Sequence, residues 1–308
     1  MKAQKRKNGG LYVLVLMMLL VAGYAIYALA ASTTEIAPDD VINNANSVAT
    51  MQEQTSSEVQ NLNYSTIVLI PAPISDIIDT GYLALINRQH GISAEPNSLT
   101  MAWPTVPVSF VDGMYLHPSA LQAVADMLDT FRDTDLGTLF VSSGFRGLEL
   151  QTNLYNNGDN GGFALPPGHS EHHTGLAADI LAIGVSQAEM ASSAEGRWLA
   201  ANSYRYGLIL RYPQGATHIT GIEFEPWHFR YVGRPHAYYM KQHNLVLEEY
   251  IELLQTTGGV TFEMGNRTYH VLHQTPQSGF VYLPEGMEFT VSNDNMGGKV
   301  VTAWTTQF

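Results

Sequence analysis

The segment from Ser170 to Ile180 sets a histidine, His172, seven positions before an aspartate, Asp179, in a frame of small residues that runs into an apolar stretch. Farther along lies Glu225-Pro226-Trp227-His228. Two imidazoles and one carboxylate make a three-ligand set for zinc. Three protein ligands leave a fourth position open for water, which marks a catalytic rather than a structural site. Glu225, three residues before the last ligand, is the natural base for that water's proton, with Glu223 as its nearest rival. Pro226 disfavours helix at Glu225, so the segment is extended or turned, unlike the helical His-Glu-x-x-His of other zinc peptidases. A lone histidine is more often a plain loop residue, and a lone aspartate a capping group. The spacing, the small Gly175 and Ala177, and the downstream Glu-x-x-His together favour the metal. His169 and His173 crowd the same loop and could be mistaken for ligands. A serine-nucleophile reading of Ser170 with a histidine and Asp179 lacks a Gly-x-Ser-x-Gly elbow.

The pattern Ser-x-His-x-x-Gly-x-Ala-x-Asp followed by Glu-x-x-His resembles the zinc D-alanyl-D-alanine carboxypeptidases of the VanY type. Ser143-Gly144-Phe145-Arg146 with Gln151 is similar to that family's Ser-Gly-Tyr-Arg segment, with Phe for Tyr. The segments from Tyr206 to Pro213 and from Glu225 to Gly233 also resemble family segments, and the likeness spans roughly residues 80 to 250. The resemblance picks His172 over its neighbours, so that His172, Asp179 and His228 hold Zn2+, and His169 and His173 are loop or supporting residues. It implies that Arg146 holds the scissile carbonyl oxygen and stabilises the oxyanion. Ser170 is expected to bind substrate or support the loop, and Gln151 and Ser143 to bind substrate. The substrate it implies is the D-Ala-D-Ala end of peptidoglycan stem peptides or their precursors. An L,D-carboxypeptidase acting on tetrapeptide stems is the nearer rival reading. A non-catalytic wall-binding module is the farther one, disfavoured by the intact Glu225 and ligands.

With 308 residues the chain accommodates one sizeable domain plus appendages. A net charge of -13 argues against nucleic acid, which requires a basic footprint. The absence of cysteine excludes disulfides and thiolate metal sites. Lys2, Lys5, Arg6 and Lys7 precede an uncharged run over 11–31, after the basic start 1–10. That length spans a bilayer, whereas a cleavable signal's apolar core is usually roughly 7–15 residues. Ala28-Leu29-Ala30 nevertheless offers a cleavage site. The expectation is a single-pass anchor in a bacterial membrane with everything after Ser32 extracytoplasmic, or a secreted chain if cleavage occurs.

Residues 32–63 are polar and nearly free of aromatics, a stalk unable to bury a core. The carboxypeptidase domain is expected over 64–257. Its fold class is α+β, with helices packed on a small antiparallel sheet that carries the zinc site. Within it, Ile67 to Ile70 reads as a short buried segment, Pro118 to Arg132 as a helix and Thr138 to Ser142 as a strand. Helices are also expected over 147–156, 186–206 and 247–254, and strands over 176–181 and 229–232. Trp227, Phe229 and Tyr231 alternate and favour core packing over ligand stacking. Arg211 and Tyr212 divide evenly between lining the site and serving elsewhere. Residues 258–308 carry short alternating runs divided by Gly, Pro and Asn, a small all-β appendage with no chemical constellation.

Overall fold

A computed structural model describes residues 67–92, 94–96, 99–101, 109–110, 114–157, 164–276 and 279–307. The expected anchor and stalk lie outside these residues. Among the described residues no helix is long and apolar enough to cross a membrane.

The chain enters through β1 (Leu69–Pro73), then β2 (Thr100–Met101), β3 (Ser109–Phe110) and β4 (Tyr115–Leu116). Helix α1 (Pro118–Arg132) follows, with proline in the first turn, where no backbone donor is missed, and the His117 side chain accepting from the Ser119 amide. Its buried face of Ala120, Ala123, Val124, Met127, Leu128 and Phe131 covers a five-stranded sheet. That sheet is built from β5 (Leu139–Ser143), β6 (Ala177–Ala182), β7 (Leu208–Leu210) and β8 (His228–Tyr231) in the order β3-β5-β6-β8-β7. Only β3 and β5 run parallel, and the other pairs are antiparallel, giving the expected α+β fold. The register sets Asp179 opposite both Ser143 and His228. Strand side chains alternate, so Ala178, Ile180 and Ala182 enter the core while Asp179 points from the other face.

Helix α2 (Leu148–Asn157) leaves the end of β5. A single helix over 186–206 is not what forms. Instead a 3-10 segment (Gln187–Ser192), α3 (Ala194–Asn202) and a second 3-10 segment (Ser203–Tyr206) follow one another. Ser193 takes an extended conformation and caps α3 by accepting from the Gly196 amide. A side chain at 196 would meet the Met190 carbonyl at 1.8 Å. The last turn does end at Gly207, at φ 85°. After α4 (Thr217–Thr220) and β8 comes α5 (Arg234–His243), which carried no sequence expectation. Pro235 sits in its first turn, where proline is tolerated rather than helix-breaking. Helix α6 (Leu247–Thr257) runs three residues past its expected end.

The C-terminal strands β9 (Gly259–Met264), β10 (Arg267–Gln274), β11 (Phe280–Pro284), β12 (Glu288–Asn293) and β13 (Lys299–Thr306) are all-β, as expected. They are not a detached appendage. Val260, Val271 and Val300 share one core with Leu83, Ile209, Val232 and the apolar faces of α5 and α6. Strand β1 pairs antiparallel with β11 through all five of its residues. The expected buried segment at 67–70 is therefore an edge: Leu69 and Ile70 are 41% and 45% exposed.

Candidate active site

His172 stands on a short 3-10 turn (Glu171–Thr174) that Ser170 opens and Gly175 closes. The Ser170 hydroxyl accepts from the His172 amide, at 3.4 Å. Gly175 is left-handed at φ 69°, and a side chain there would meet the His117 amide nitrogen at 2.9 Å. The loop needs glycine both for its turn and for that close approach. Nδ1 of His172 donates to the Gly144 carbonyl, 2.6 Å away, which aims Nε2 at Asp179, at 3.4 Å. Gly144 permits this proximity, since a side chain there would lie 2.7 Å from the Tyr115 carbonyl. On β8, His228 turns Nδ1 toward the other oxygen of Asp179, at 3.0 Å.

One nitrogen from each histidine and a carboxylate oxygen of Asp179 thus lie within 4.8 Å of one another, all buried. A divalent cation that takes nitrogen and oxygen donors fits this donor set. It is the one such group among the described residues. His169 and His173 are not brought to it. His173 braces the loop, with Nδ1 to the Arg146 carbonyl and Nε2 accepting from the Gly168 amide. His169 binds the Asn87 carbonyl.

Glu225 reaches to 3.8 Å from His228 Nδ1. Burial pushes its carboxyl up, His228 and Arg146 pull it down, and Asp179 adds to the rise, leaving a net increase. A raised carboxyl in a cleft is better suited to accept and return a proton near neutral pH. Glu223 is exposed, and the cavity does not include it. Arg146 also faces the cavity. Its guanidinium donates to Gln151 Oε1 at 2.9 Å and to the Ser143 hydroxyl at 3.2 Å. Gln151, fully buried, donates in turn to the Leu165 carbonyl. In this structure Gln151 and Ser143 hold the arginine. The cavity encloses about 370 Å³, and Leu154, Ile222, Trp227 and Tyr212 give it an apolar wall. Phe229 and Tyr231 join the core, while Trp227 lines the cavity.

The chain is similar to several known proteins. The family model described as VanY, D-alanyl-D-alanine carboxypeptidase, matches residues 113–234. A D-alanyl-D-alanine carboxypeptidase of Enterococcus faecium is 28% identical over 275 residues, covering 87% of this chain and 84% of that protein. The bifunctional D-Ala-D-Ala dipeptidase and D-Ala-D-Ala carboxypeptidase VanXYC of Enterococcus gallinarum is 35% identical over 193 residues, covering 57% of this chain and 96% of that protein. The chain belongs to the VanY family of D-alanyl-D-alanine carboxypeptidases. The fold agrees as well. The crystal structure of the vancomycin-resistance D,D-dipeptidase VanXYg, in complex with a D-Ala-D-Ala phosphinate analogue, superposes with a TM-score of 0.66. That match has 24% identity and covers 78% of this chain and all of that one.

Sequence reasoning passed over one residue of this carboxypeptidase's site. Glu171, between Ser170 and His172, is fully buried behind the two histidines of the candidate site. Its Oε1 accepts from Arg211 Nε and from Arg230 Nη1, each at 2.8 Å. Arg211 forks onto both oxygens of Glu248 on α6, and Arg230 donates to the carbonyls of Tyr82 and Ala84. Burial would raise the Glu171 carboxyl, but the two guanidinium groups outweigh it and hold it far below the usual range. The signal was present in the sequence: an acidic residue beside a proposed ligand, and arginines at 211 and 230 within the family segments. Arg211 thus serves behind the site, whereas Tyr212 lines it, its ring 4.9 Å from that of His228.

Proposed function

We propose that this cavity hydrolyses the terminal D-Ala–D-Ala bond of peptidoglycan stem peptides with the help of zinc held by His172, Asp179 and His228. The observation that carries the reading is the buried convergence of these three side chains beside Glu225 and Arg146. Zinc bound there would polarise the scissile carbonyl and make water a stronger nucleophile at neutral pH. Glu225, raised by burial, takes the proton from the attacking water and hands it to the leaving D-alanine amine. Arg146, pinned by Gln151 and Ser143, presents a fixed guanidinium to the oxygen on which negative charge develops. The side chains of Leu154, Ile222 and Trp227 exclude water and offer apolar surface to the alanine methyl groups. Ser170, at the cavity edge, is the substrate-contacting hydroxyl in this reading.

The uncharged run over 11–31 supports a tether that places the enzyme outside the cytoplasmic membrane, where stem peptides are. Protease added to intact spheroplasts is expected to reach the catalytic domain, and protection until lysis would overturn this. The catalytic reading is tested with the purified full chain. About one zinc per chain and release of D-alanine from a defined pentapeptide are expected, with a tetrapeptide as the parallel substrate. Release from the tetrapeptide alone would make the chain an L,D-carboxypeptidase, and release from neither would remove the hydrolytic reading.

A further inference from the structure

The two ligand histidines are held from behind in different ways. Each needs one nitrogen free of hydrogen to meet a metal, and therefore carries its hydrogen on the other. For His172 the rear nitrogen is Nδ1, satisfied by the Gly144 carbonyl. For His228 the ring is reversed. Nδ1 faces Asp179, and Nε2 points into the protein. There it meets Glu171 Oε2 across 3.5 Å. Both atoms are buried and neither has a hydrogen-bond partner. Buried polar atoms are seldom left unpaired, because each costs the free energy of its lost hydration. An imidazole N–H facing a carboxylate oxygen satisfies both at once, with a small approach of the two groups.

We propose that Glu171 is the positioning residue that fixes His228 with its hydrogen on Nε2, so that the Nδ1 lone pair is delivered to the metal. The proposal rests on the metal reading above. The other oxygen of Glu171 accepts from Arg211 and Arg230, so the carboxylate cannot rotate away, and it remains an acceptor. Arg211 in turn is anchored on Glu248, and Arg230 on the backbone at Tyr82 and Ala84. The chain of contacts therefore runs from the rear of a metal ligand to α6 and to the segment that enters the domain. A carboxylate behind a ligating histidine also raises its donor strength, and losing such a partner typically costs about 10–100-fold in metal affinity.

The test uses the full chain, loaded with zinc and labelled with 15N at histidine. Long-range proton–nitrogen spectra are expected to show His228 carrying hydrogen on Nε2 and zinc on Nδ1. Competition against a chromophoric chelator is expected to give zinc affinity about 10–100-fold lower in Glu171→Gln. Because glutamine strips the charge that two buried arginines require, Glu171→Asp is measured alongside. It keeps the charge, withdraws the oxygen from Nε2, and is expected to melt cooperatively while losing zinc affinity to a similar degree. Zinc on Nε2 of His228, or wild-type affinity in both variants, would overturn the proposal and leave the metal site standing. A wild-type chain that takes up no zinc would remove the metal site itself, and this proposal with it.

Discussion

His228, in the catalytic sheet, and His236, at the seam with the C-terminal strands, are eight positions apart and equally buried, yet they protonate in opposite directions. Burial works against a charged imidazole in both. Around His228, Asp179 and Glu171 outweigh it, and the pKa rises to about 9. His236 meets only neutral partners, the Tyr250 hydroxyl at 2.9 Å and the Thr302 hydroxyl at 3.1 Å, and burial pushes it down to about 3. The candidate metal site stores buried charge and compensates it pair by pair. Around His236, where the C-terminal strands meet α5 and α6, the facing groups are neutral hydroxyls. Exposure alone separates neither role. The groups facing the buried side chain decide.

The largest effect expected is on the seam. Ending the chain at Thr257 removes Val260, Val271 and Val300 from the core shared with α5 and α6, and deprives β1 of β11. Although every ligand lies upstream, the truncated chain is expected to lose its cooperative thermal transition, and zinc binding with it. A folded, zinc-binding truncation would show that the two regions are independent. On the charged side, Glu225→Gln is expected to keep zinc and the melting temperature while turnover falls about 10²–10⁴-fold. Arg146→Ala is expected to cost about 10²–10³-fold, also with zinc retained. Normal turnover in Glu225→Gln would move the base elsewhere.

Smaller effects sharpen the contrast. Arg211→Met takes one of the two guanidinium groups from Glu171 and both arginine contacts from Glu248, and is expected to destabilise by about 3–5 kcal/mol, as breaking a buried ion pair does. His236→Leu strands two hydroxyls and is expected to cost about 1–3 kcal/mol with zinc affinity unchanged. Urea titrations give both values, and equal costs would erase the distinction drawn here.

The smallest effect is in pH, read on metal-free protein. The raised His228 stabilises the fold fully below 6.5, its ordinary value, and loses that contribution as pH climbs toward about 9. The depressed His236 contributes above 6.5 and loses as pH falls toward about 3, and His172 shifts the same way. Glu171 and Asp179, held below their ordinary values of 4.5 and 3.8, withdraw their support at lower pH still. The melting temperature is expected to peak near pH 6.5, with a shallower acid limb in His236→Leu. A steady rise from pH 6.5 to 9 would contradict the charged environment assigned to His228.

The convergence of the proposed ligands was legible because it is written locally: His172 and Asp179 share one loop and strand, and Glu225 precedes His228 by three positions. The helix over 118–132 was legible from its apolar face and its proline start. What escaped depends on partners distant in sequence. Glu171 looks like filler until Arg211 and Arg230 fold back onto it. Helix α5 was hidden by Pro235, a breaker in mid-helix but not in a first turn. The 186–206 stretch has helical composition, yet Ser193 is extended and caps a new helix, and Gly196 permits the close approach to the Met190 carbonyl that this break entails. The C-terminal strands were legible as strands, but their union with α5 and α6 was not, because short alternating runs do not reveal which surface covers their apolar face.

The pairing of β1 with β11 has a mechanical consequence. Tension applied at residue 67 falls first on the five-residue β1–β11 ladder, and then on Asp79, which holds Asn293 and Lys299 on the C-terminal strands. The strands that carry Asp179 and His228 belong to another sheet, which the entering chain reaches only beyond Asp79, where the Tyr82 and Ala84 carbonyls accept from Arg230. Pulled from that end, the molecule is expected to yield first at this edge ladder, before strain reaches the Arg230 contacts behind His228.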